Sequence, residues 1–119
     1  MKALLIMVHG SPRPESNEDV QKVVALVRSA GTYPIVEVGF LDVNQPDIPT
    51  AIASCASAGA DTIIAFPYFL HTGKHVTGDL PRALLAAQTV HPQITFLMTD
   101  YLGLHEKLGG ILLERASGA

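Results

Sequence analysis

Apolar residues along the chain form two alternating patterns, and the first consists of nearly continuous hydrophobic runs. Three such runs are typical of parallel strands covered on both faces: Ala3–Val8, Thr62–Phe69 and Ile94–Thr99. A fourth run, Pro34–Phe40, is interrupted by Glu37 and Gly39, which favours a strand at the edge of a sheet. The pattern therefore predicts four β-strands.

The segments between these runs have apolar residues at helical spacing. Valines at i, i+3, i+4 and i+7 predict a first helix, with Ser16 and Asp19 as a cap pair at its start and Gly31 just after its end. A second helix is predicted over about Pro49–Ala58, with Asp47 near its N-cap. Its alanine-rich surface suits close packing on a sheet.

Two further helices follow the third and fourth strands. The third is predicted to begin near Asp79, which is assigned as the N-cap because Pro81 follows it. Its apolar side comprises Leu80, Leu84 and Leu85. The fourth is predicted to begin near Gly103 and to contain Gly109 and Gly110 despite their low helix propensity. Its apolar side comprises Leu104, Leu108, Ile111 and Leu112.

The alternation of strands and helices predicts an α/β fold built from βαβ units. We expect a single doubly wound, flavodoxin-like domain over residues 1–119, with a four-stranded parallel sheet in the order 2-1-3-4. No internal repeat, linker or low-complexity stretch divides the chain. In such a sheet, ligands bind beyond the carboxyl ends of the strands where the strand order reverses, which here lies between strands 1 and 3.

Composition and charge narrow the function classes. Hydrophobic residues make up 48% of the 119 residues, which excludes an intrinsically disordered chain. The net charge of −3 argues against nucleic-acid binding, which requires a clustered basic surface. No run is long enough for a membrane span, and the apolar start Met1–Val8 is too short for a signal peptide. The single cysteine, Cys55, excludes an internal disulfide and a cysteine metal cage, so we expect a cytoplasmic location.

Histidines follow both strands that border the predicted binding mouth. His9 comes directly after the first strand, and His71 and His75 lie in the loop after the third. A lone histidine at a strand end is usually structural, but histidines from two neighbouring loops favour a functional pair, because imidazole binds metals and exchanges protons near neutral pH. His75 is the stronger candidate in the second loop because it lies nearer the start of the third helix. His71 remains open, since its spacing from His75 suits a shared site only in a helix and Gly73 favours a loop.

Other polar residues near the same edge have both structural and functional interpretations. Asp42 follows the second strand and is either a carboxylate of the site or a turn residue. His105, near the start of the fourth helix, is either a rim contact or a cap. Positive charge is available from Arg13, Lys74 and Arg82, although exposed basic residues are commonly only solvated. No glycine-rich nucleotide-binding motif is present, which disfavours nucleotide binding.

A series of short motifs runs in order along nearly the whole chain. They are His9-Gly10-Ser11 with Pro14 and Asn17 downstream, Phe40-Leu41-Asp42, Pro46-x-Ile48-Pro49, Gly59-Ala60-Asp61, Pro67-x-Phe69-Leu70-x-x-Gly73-x-His75-Val76-x-x-Asp79-Leu80-Pro81, and Leu102-Gly103-x-His105. Each motif is weak alone, but the ordered set is fairly specific. It resembles the small sirohydrochlorin chelatases, the short class II metal-chelatase family.

The resemblance implies that a divalent metal ion is inserted into sirohydrochlorin in tetrapyrrole biosynthesis, with Co²⁺ favoured and Fe²⁺ or Ni²⁺ as alternatives. His9 and His75 match the family's two metal-handling histidines, and the metal is a substrate rather than a permanently bound cofactor. The residues assigned to the bound substrate are Ser11, Arg13, Asp42, Phe69, Leu70, Lys74 and His105. Two positions depart from the family pattern, because Pro12 replaces a common basic residue and Asp42 replaces a common glutamate.

The resemblance also bears on assembly and on alternative functions. Longer members of the family carry two such domains in one chain, so a short chain implies a symmetric homodimer. Two other function classes stay open: a carrier that binds metal or tetrapyrrole without turnover, and a purely structural flavodoxin-like domain. Turnover of sirohydrochlorin with a divalent metal separates the chelatase from both.

Overall fold

The computed structural model describes residues 1–119 and contains one sheet of four parallel strands. The strands are β1 (Lys2–Val8), β2 (Ile35–Phe40), β3 (Thr62–Pro67) and β4 (Thr95–Met98). Their order in the sheet is β2-β1-β3-β4, which confirms the predicted topology and places β2 at an edge. The carboxyl ends of β1 and β3 are therefore neighbours, with Met7 paired to Pro67.

Four α-helices connect or follow the strands. They are α1 (Pro14–Ala30), α2 (Ile48–Ser57), α3 (Leu80–Val90) and α4 (Glu106–Ser117). A single π-helical turn, His75–Asp79, leads directly into α3. None of the helices has the combination of length and apolar character that crossing a membrane requires.

The hydrophobic core lies on both faces of the central strand β1. Because side chains alternate along a strand, Leu5 and Met7 belong to the cluster under α2 and α3, while Ile6 and Val8 belong to the cluster under α1. The first cluster has 15 buried residues and the second has six. The central strand is thus covered on both faces, as its continuous apolar run predicts.

β4 and α4 are much less covered than β1. Phe96 of β4 packs against the larger cluster, but Leu97, on the opposite face, is 53% exposed. No residue of α4 is buried, and Leu112 and Leu113 are 66% and 68% exposed. The prediction that β4 is buried on both faces is therefore wrong, because nothing in the chain covers the face that carries Leu97.

The starts of the first two helices differ in how well the sequence predicts them. α1 begins at Pro14, so Ser16 and Asp19 lie inside the helix and do not cap it. Proline suits the first turn of a helix because its missing N–H would have no intrahelical partner there. The N-cap of α2 is as predicted, with Asp47 Oδ1 accepting from the Thr50 amide at 2.9 Å.

Three further expectations about apolar segments are wrong. β3 ends at Pro67, because Phe69 turns back and donates its amide to the Pro67 carbonyl at 3.0 Å. Leu104 precedes α4 rather than lying on its apolar side, with φ 61° and 96% exposure. Leu85 is exposed, whereas Leu80 and Leu84 on the same helix are buried.

Candidate functional site

His9 follows the last residue of β1 and begins the first loop of the candidate site. Gly10 has φ 104°, and a Cβ there would overlap the carbonyl oxygen of Asp42. The Asp42 amide donates to the His9 carbonyl at 2.9 Å. Glycine at position 10 is therefore what allows the loop after β2 to lie directly against the backbone of His9.

Ser11 extends this junction by one residue. Its amide donates to Asn44 Oδ1 at 2.7 Å, and its carbonyl accepts from Asn17 Nδ2 at 3.3 Å. Its hydroxyl oxygen accepts from the Arg13 amide at 3.1 Å. The Arg13 guanidinium is exposed and lies 3.6 Å from the Glu15 carboxylate. The hydrogen bonds of Ser11 thus stabilise the loop that carries His9, and the Arg13 side chain lies at the exposed rim of the site.

His75 opens the π-helical turn after β3, and its ring lies beside that of His9. The two ring centroids are 4.9 Å apart, with the planes at 65°. The Phe69 ring centroid lies 6.2 Å from that of His75, with the planes at 33°. His9 is exposed and His75 is half-buried, so the pair is accessible from solvent. The structure therefore brings together the two histidines that the sequence analysis paired.

Asp79 contacts the His75 ring from within the same π-helical turn. Its Oδ2 lies 2.6 Å from His75 Nδ1, and its Oδ1 accepts from the Arg82 guanidinium. The hydrogen bond from His75, followed by the charges of Arg82 and Lys74, holds the pKa of the Asp79 carboxyl below its usual range. The assignment of Asp79 as a helix cap is wrong, because its backbone is helical and its side chain bonds to other side chains instead.

The histidine pair provides two nitrogen ligands without a third protein ligand. No further His, Cys, Asp or Glu side chain joins them in a cluster that could hold a metal ion. Asp42 is exposed, and its Oδ1 accepts from the Val43 amide at 2.8 Å. Neutral imidazoles bind Co²⁺, Fe²⁺ and Ni²⁺, and two of them leave coordination positions open for water or another ligand.

The remaining candidates occupy different parts of the same edge. Phe69 is half-buried beside His75, whereas Leu70 is 58% exposed and Lys74 is exposed. His71 is exposed and forms no metal-ligand cluster with the pair. His105 caps α4, because its Nδ1 accepts from the Lys107 amide at 3.1 Å. Of the two interpretations of His105, the structure therefore supports the cap.

The loop after β4 is fixed against the loop after β3. The Gly103 amide donates to the Phe69 carbonyl at 3.0 Å, and the Leu102 amide donates to the Pro67 carbonyl at 3.2 Å. A Cβ at Gly103 would overlap the carbonyl oxygen of Leu70. These contacts fix the backbone of Phe69, whose ring lies beside that of His75, and of Leu70 after it.

Cys55 plays no part in the site, as predicted from its position in the alanine-rich second helix. It is fully buried in α2 within the larger core cluster. Burial, with a further contribution from the charge of Glu37, raises the pKa of its thiol to about 11. The thiolate that binds metals is therefore scarce at neutral pH.

Comparison with known sequences identifies relatives along nearly all of the chain. The CbiX family model matches residues 3–119. The chain is 33% identical to a sirohydrochlorin cobaltochelatase of Priestia megaterium, over 96% of this chain and 37% of the relative. It is 30% identical to a sirohydrochlorin cobaltochelatase of Saccharolobus islandicus, over 98% of this chain and 94% of the relative. The chain spans only part of the length of several relatives: 37% of the one from Priestia megaterium, 59% of one from Methanocaldococcus jannaschii and 50% of one from Arabidopsis thaliana.

A solved structure shares the same fold. The sirohydrochlorin chelatase SirB from Bacillus subtilis subspecies spizizenii, solved in complex with cobalt, superposes with a TM-score of 0.94. The match covers 98% of this chain and 50% of that one at 24% identity, so the likeness concerns the fold. Together with the match of the family model across residues 3–119, these similarities show that the chain belongs to the CbiX family.

Proposed function

We propose that this protein inserts a divalent metal ion, preferentially Co²⁺, into sirohydrochlorin. The observation that carries the proposal is the contact of the His9 and His75 rings, 4.9 Å apart, at the switch point of the sheet. Support also comes from relatives named sirohydrochlorin cobaltochelatase and sirohydrochlorin ferrochelatase. Fe²⁺ and Ni²⁺ are alternative substrates, because imidazole also binds them and cellular supply decides among such ions.

The chemistry requires ligands that hold the ion and then release it. In the net reaction, the ion forms bonds to the four ring nitrogens of the macrocycle, and two N–H bonds break to release two protons. His9 and His75 hold the incoming ion through neutral ring nitrogens and leave positions open for the pyrrole nitrogens. Once the ion has left, each imidazole is free to accept one proton, so the pair matches the two protons released.

The residues around the pair suit a flat, polycarboxylate substrate. Phe69 and the exposed side chain of Leu70 offer an apolar surface to one face of the macrocycle. Arg13 and Lys74, both exposed, supply positive charge to its carboxylates. Asp42 is a further candidate at the rim, since it follows β2 directly.

The test uses the purified protein with sirohydrochlorin and each of Co²⁺, Fe²⁺ and Ni²⁺ under anaerobic conditions. Metal insertion is followed by the change in the absorption spectrum of the macrocycle. We expect many turnovers per protein chain, at rates well above the spontaneous reaction. A rate equal to the spontaneous one would contradict the proposal, and one equivalent bound without turnover would instead indicate a carrier.

We further propose that residues 1–119 form a single domain that works as a homodimer. Support comes from apolar side chains that the chain leaves uncovered, namely Leu97 of β4 and, on α4, Leu112 and Leu113. Gly109 and Gly110 add a smooth stretch to α4, since a Cβ at either position would meet no atom within 4 Å. A second copy of the chain would bury this surface and bring a second histidine pair into the assembly.

The free cysteine is consistent with a cytoplasmic protein. Cys55 has no partner for a disulfide, because it is the only cysteine in the sequence. We propose a reducing cytoplasmic location on this basis, in keeping with the rarity of disulfides there.

A further inference from the structure

We propose that Asp79 is a positioning residue that fixes the orientation and tautomer of His75, so that His75 presents Nε2 to the metal. The inference rests on the proposed function, in which His75 holds the incoming ion. Its basis is the contact between Asp79 Oδ2 and His75 Nδ1 at 2.6 Å. The same contact gives Asp79 a role beyond the start of α3.

The tautomer follows from which atom in this contact is able to donate. An ionised carboxylate can only accept a hydrogen bond, so the proton must lie on His75 Nδ1. In a neutral imidazole, a proton on Nδ1 leaves the lone pair on Nε2. Metal-binding histidines commonly have their second nitrogen held by a carboxylate in this way, which orients the ring and raises its basicity.

Asp79 is itself held in place from its other side. The Arg82 guanidinium donates to Asp79 Oδ1, while Oδ2 faces His75. Arg82 also lies along Gly78, where a Cβ would be 3.2 Å from its Nη1. The side chain of Asp79 is 28% exposed, less than that of Arg82 at 71%. These contacts leave the carboxylate one orientation in which both of its oxygens have partners.

His9 has the same arrangement with a weaker partner. Its Nδ1 lies 3.1 Å from the Gly10 carbonyl oxygen, which can only accept, so the proton again lies on Nδ1 and Nε2 is free. Hydrogen bonds to an ionised acceptor are roughly twice as strong as those between neutral groups. The two histidines are therefore unequal, and His75 is the more rigidly held ligand of the pair.

The experiment separates ligand orientation from general structure by measuring Co²⁺ binding alone, without sirohydrochlorin. Asp79→Ala and Asp79→Leu remove the acceptor, and the leucine variant also keeps side-chain bulk and helix propensity. Asp61→Asn is the matched control, because Asp61 is an exposed carboxylate that pairs with the amino terminus at the opposite end of the sheet. Visible absorption of bound Co²⁺ gives the affinity, and nitrogen NMR at alkaline pH gives the tautomer of His75.

In the wild type we expect His75 to be protonated on Nδ1. In both Asp79 variants we expect a shift toward the Nε2-protonated form and Co²⁺ affinity weaker by about 10-fold or more, as is typical when a carboxylate behind a metal-binding histidine is lost. Asp61→Asn should retain wild-type affinity and tautomer. If one Asp79 variant fails to fold, the other decides the result.

Two results would overturn the inference, and they differ in what else they affect. If His75→Ala abolishes tight Co²⁺ binding while the folded Asp79 variant binds within about twofold of wild type with an unchanged tautomer, Asp79 does not position His75 and the proposed function stands. If His75→Ala itself leaves Co²⁺ binding unchanged, His75 is not a ligand, and both the inference and the proposed site fail.

Discussion

At the scale of single residues, the candidate site depends on backbone contacts that hold the loops after β1 and β3 in place. The rings of His9 and His75 meet although His9 lies in the irregular loop directly after β1 and His75 lies beyond the loop that follows β3. On one side, Gly10 lies against Asp42, and on the other, Gly103 lies against Leu70. The geometry of the pair is thus set by close backbone packing, which the histidines themselves do not provide.

Replacing either histidine of the pair is expected to remove most of the chelatase activity. Both His9→Ala and His75→Ala should lower kcat/KM by about 100-fold or more, because each removes a ligand and a proton acceptor. His71→Ala is the control, since it removes an exposed imidazole from the same edge of the sheet. Near-normal rates in both site variants, with the fold intact by circular dichroism, would mean that the site lies elsewhere.

Gly10→Ala is expected to damage both stability and activity. The added Cβ overlaps the Asp42 carbonyl, and a residue held at φ 104° is strained, so we expect a loss of at least roughly 1–3 kcal/mol in the free energy of unfolding. Gly31→Ala is the control, because Gly31 has φ 70° but open space around its Cβ position. The melting temperature and the turnover rate should both fall further in Gly10→Ala than in Gly31→Ala. Equal stability losses and an unchanged rate in the two variants would contradict the packing argument.

The sequence predicts the histidine pair but not the residue behind it. Two histidines follow neighbouring strands of a parallel sheet, and parallel strands bring their carboxyl ends to one edge. Pro81 favours Asp79 as a cap, because proline marks the first turn of a helix. The spacing of four residues between His75 and Asp79 was the signal that could have identified their contact, since such residues are neighbours in a helical segment.

At the scale of elements, the turn before α3 explains why the sequence alone does not indicate the contact between His75 and Asp79. Helical backbone begins at His75, before the proline, in a π-helical turn. The wider turn is rare and is found mostly at functional sites, so sequence propensities give it little weight. Gly73 lies just before this turn and Gly78 lies within it, and both glycines favour a loop when only the sequence is considered. Strand cores are easier to predict, because β1 has a continuous apolar run that matches its burial.

The N-cap of α2 gives the protein a predictable sensitivity to acid. The hydrogen bond from Thr50 holds the pKa of Asp47 below its ordinary value of 3.8, so the folded state favours the ionised carboxylate. That contribution to stability is complete above about pH 5 and is lost progressively as the pH falls through the lowered pKa of the folded state. Thermal unfolding measured from pH 6 to pH 2.5 should therefore show a declining melting temperature at the acid end.

Variants at position 47 separate the cap from the charge. Asp47→Asn retains a side-chain acceptor for the Thr50 amide but cannot ionise, so we expect a melting temperature close to wild type at pH 6 and a shallower decline in acid. Asp47→Ala should lower the melting temperature at pH 6 and also reduce the acid dependence. An identical acid decline in wild type and both variants would show that other carboxylates, such as Asp61, account for it.

At the scale of the whole molecule, the sequence predicts the topology because strand and helix patterns alternate without ambiguity. It does not predict which surfaces stay uncovered, since an apolar run has the same appearance whether its partner is in the same chain or in another. The apolar run at β4 predicts burial, but Leu97 is exposed. The apolar residues of α4 are likewise not buried, because they do not pack closely on the sheet. This difference is physical, because burial depends on what packs against a residue rather than on the residue alone.

The uncovered surface leads to a test of the proposed homodimer. Leu112→Glu places a charge on the exposed apolar side of α4, so we expect the dimer to dissociate because a buried unpaired carboxylate is costly. Leu85→Glu is the matched control, since Leu85 is 71% exposed on α3, which packs over the larger core cluster, whereas α4 lies beside α1. Sedimentation at several protein concentrations should give a dimer for the wild type and for Leu85→Glu, and a monomer for Leu112→Glu. A wild type that sediments as a monomer at the concentrations where it turns over substrate would refute the dimer, and a dimeric Leu112→Glu would move the interface away from α4.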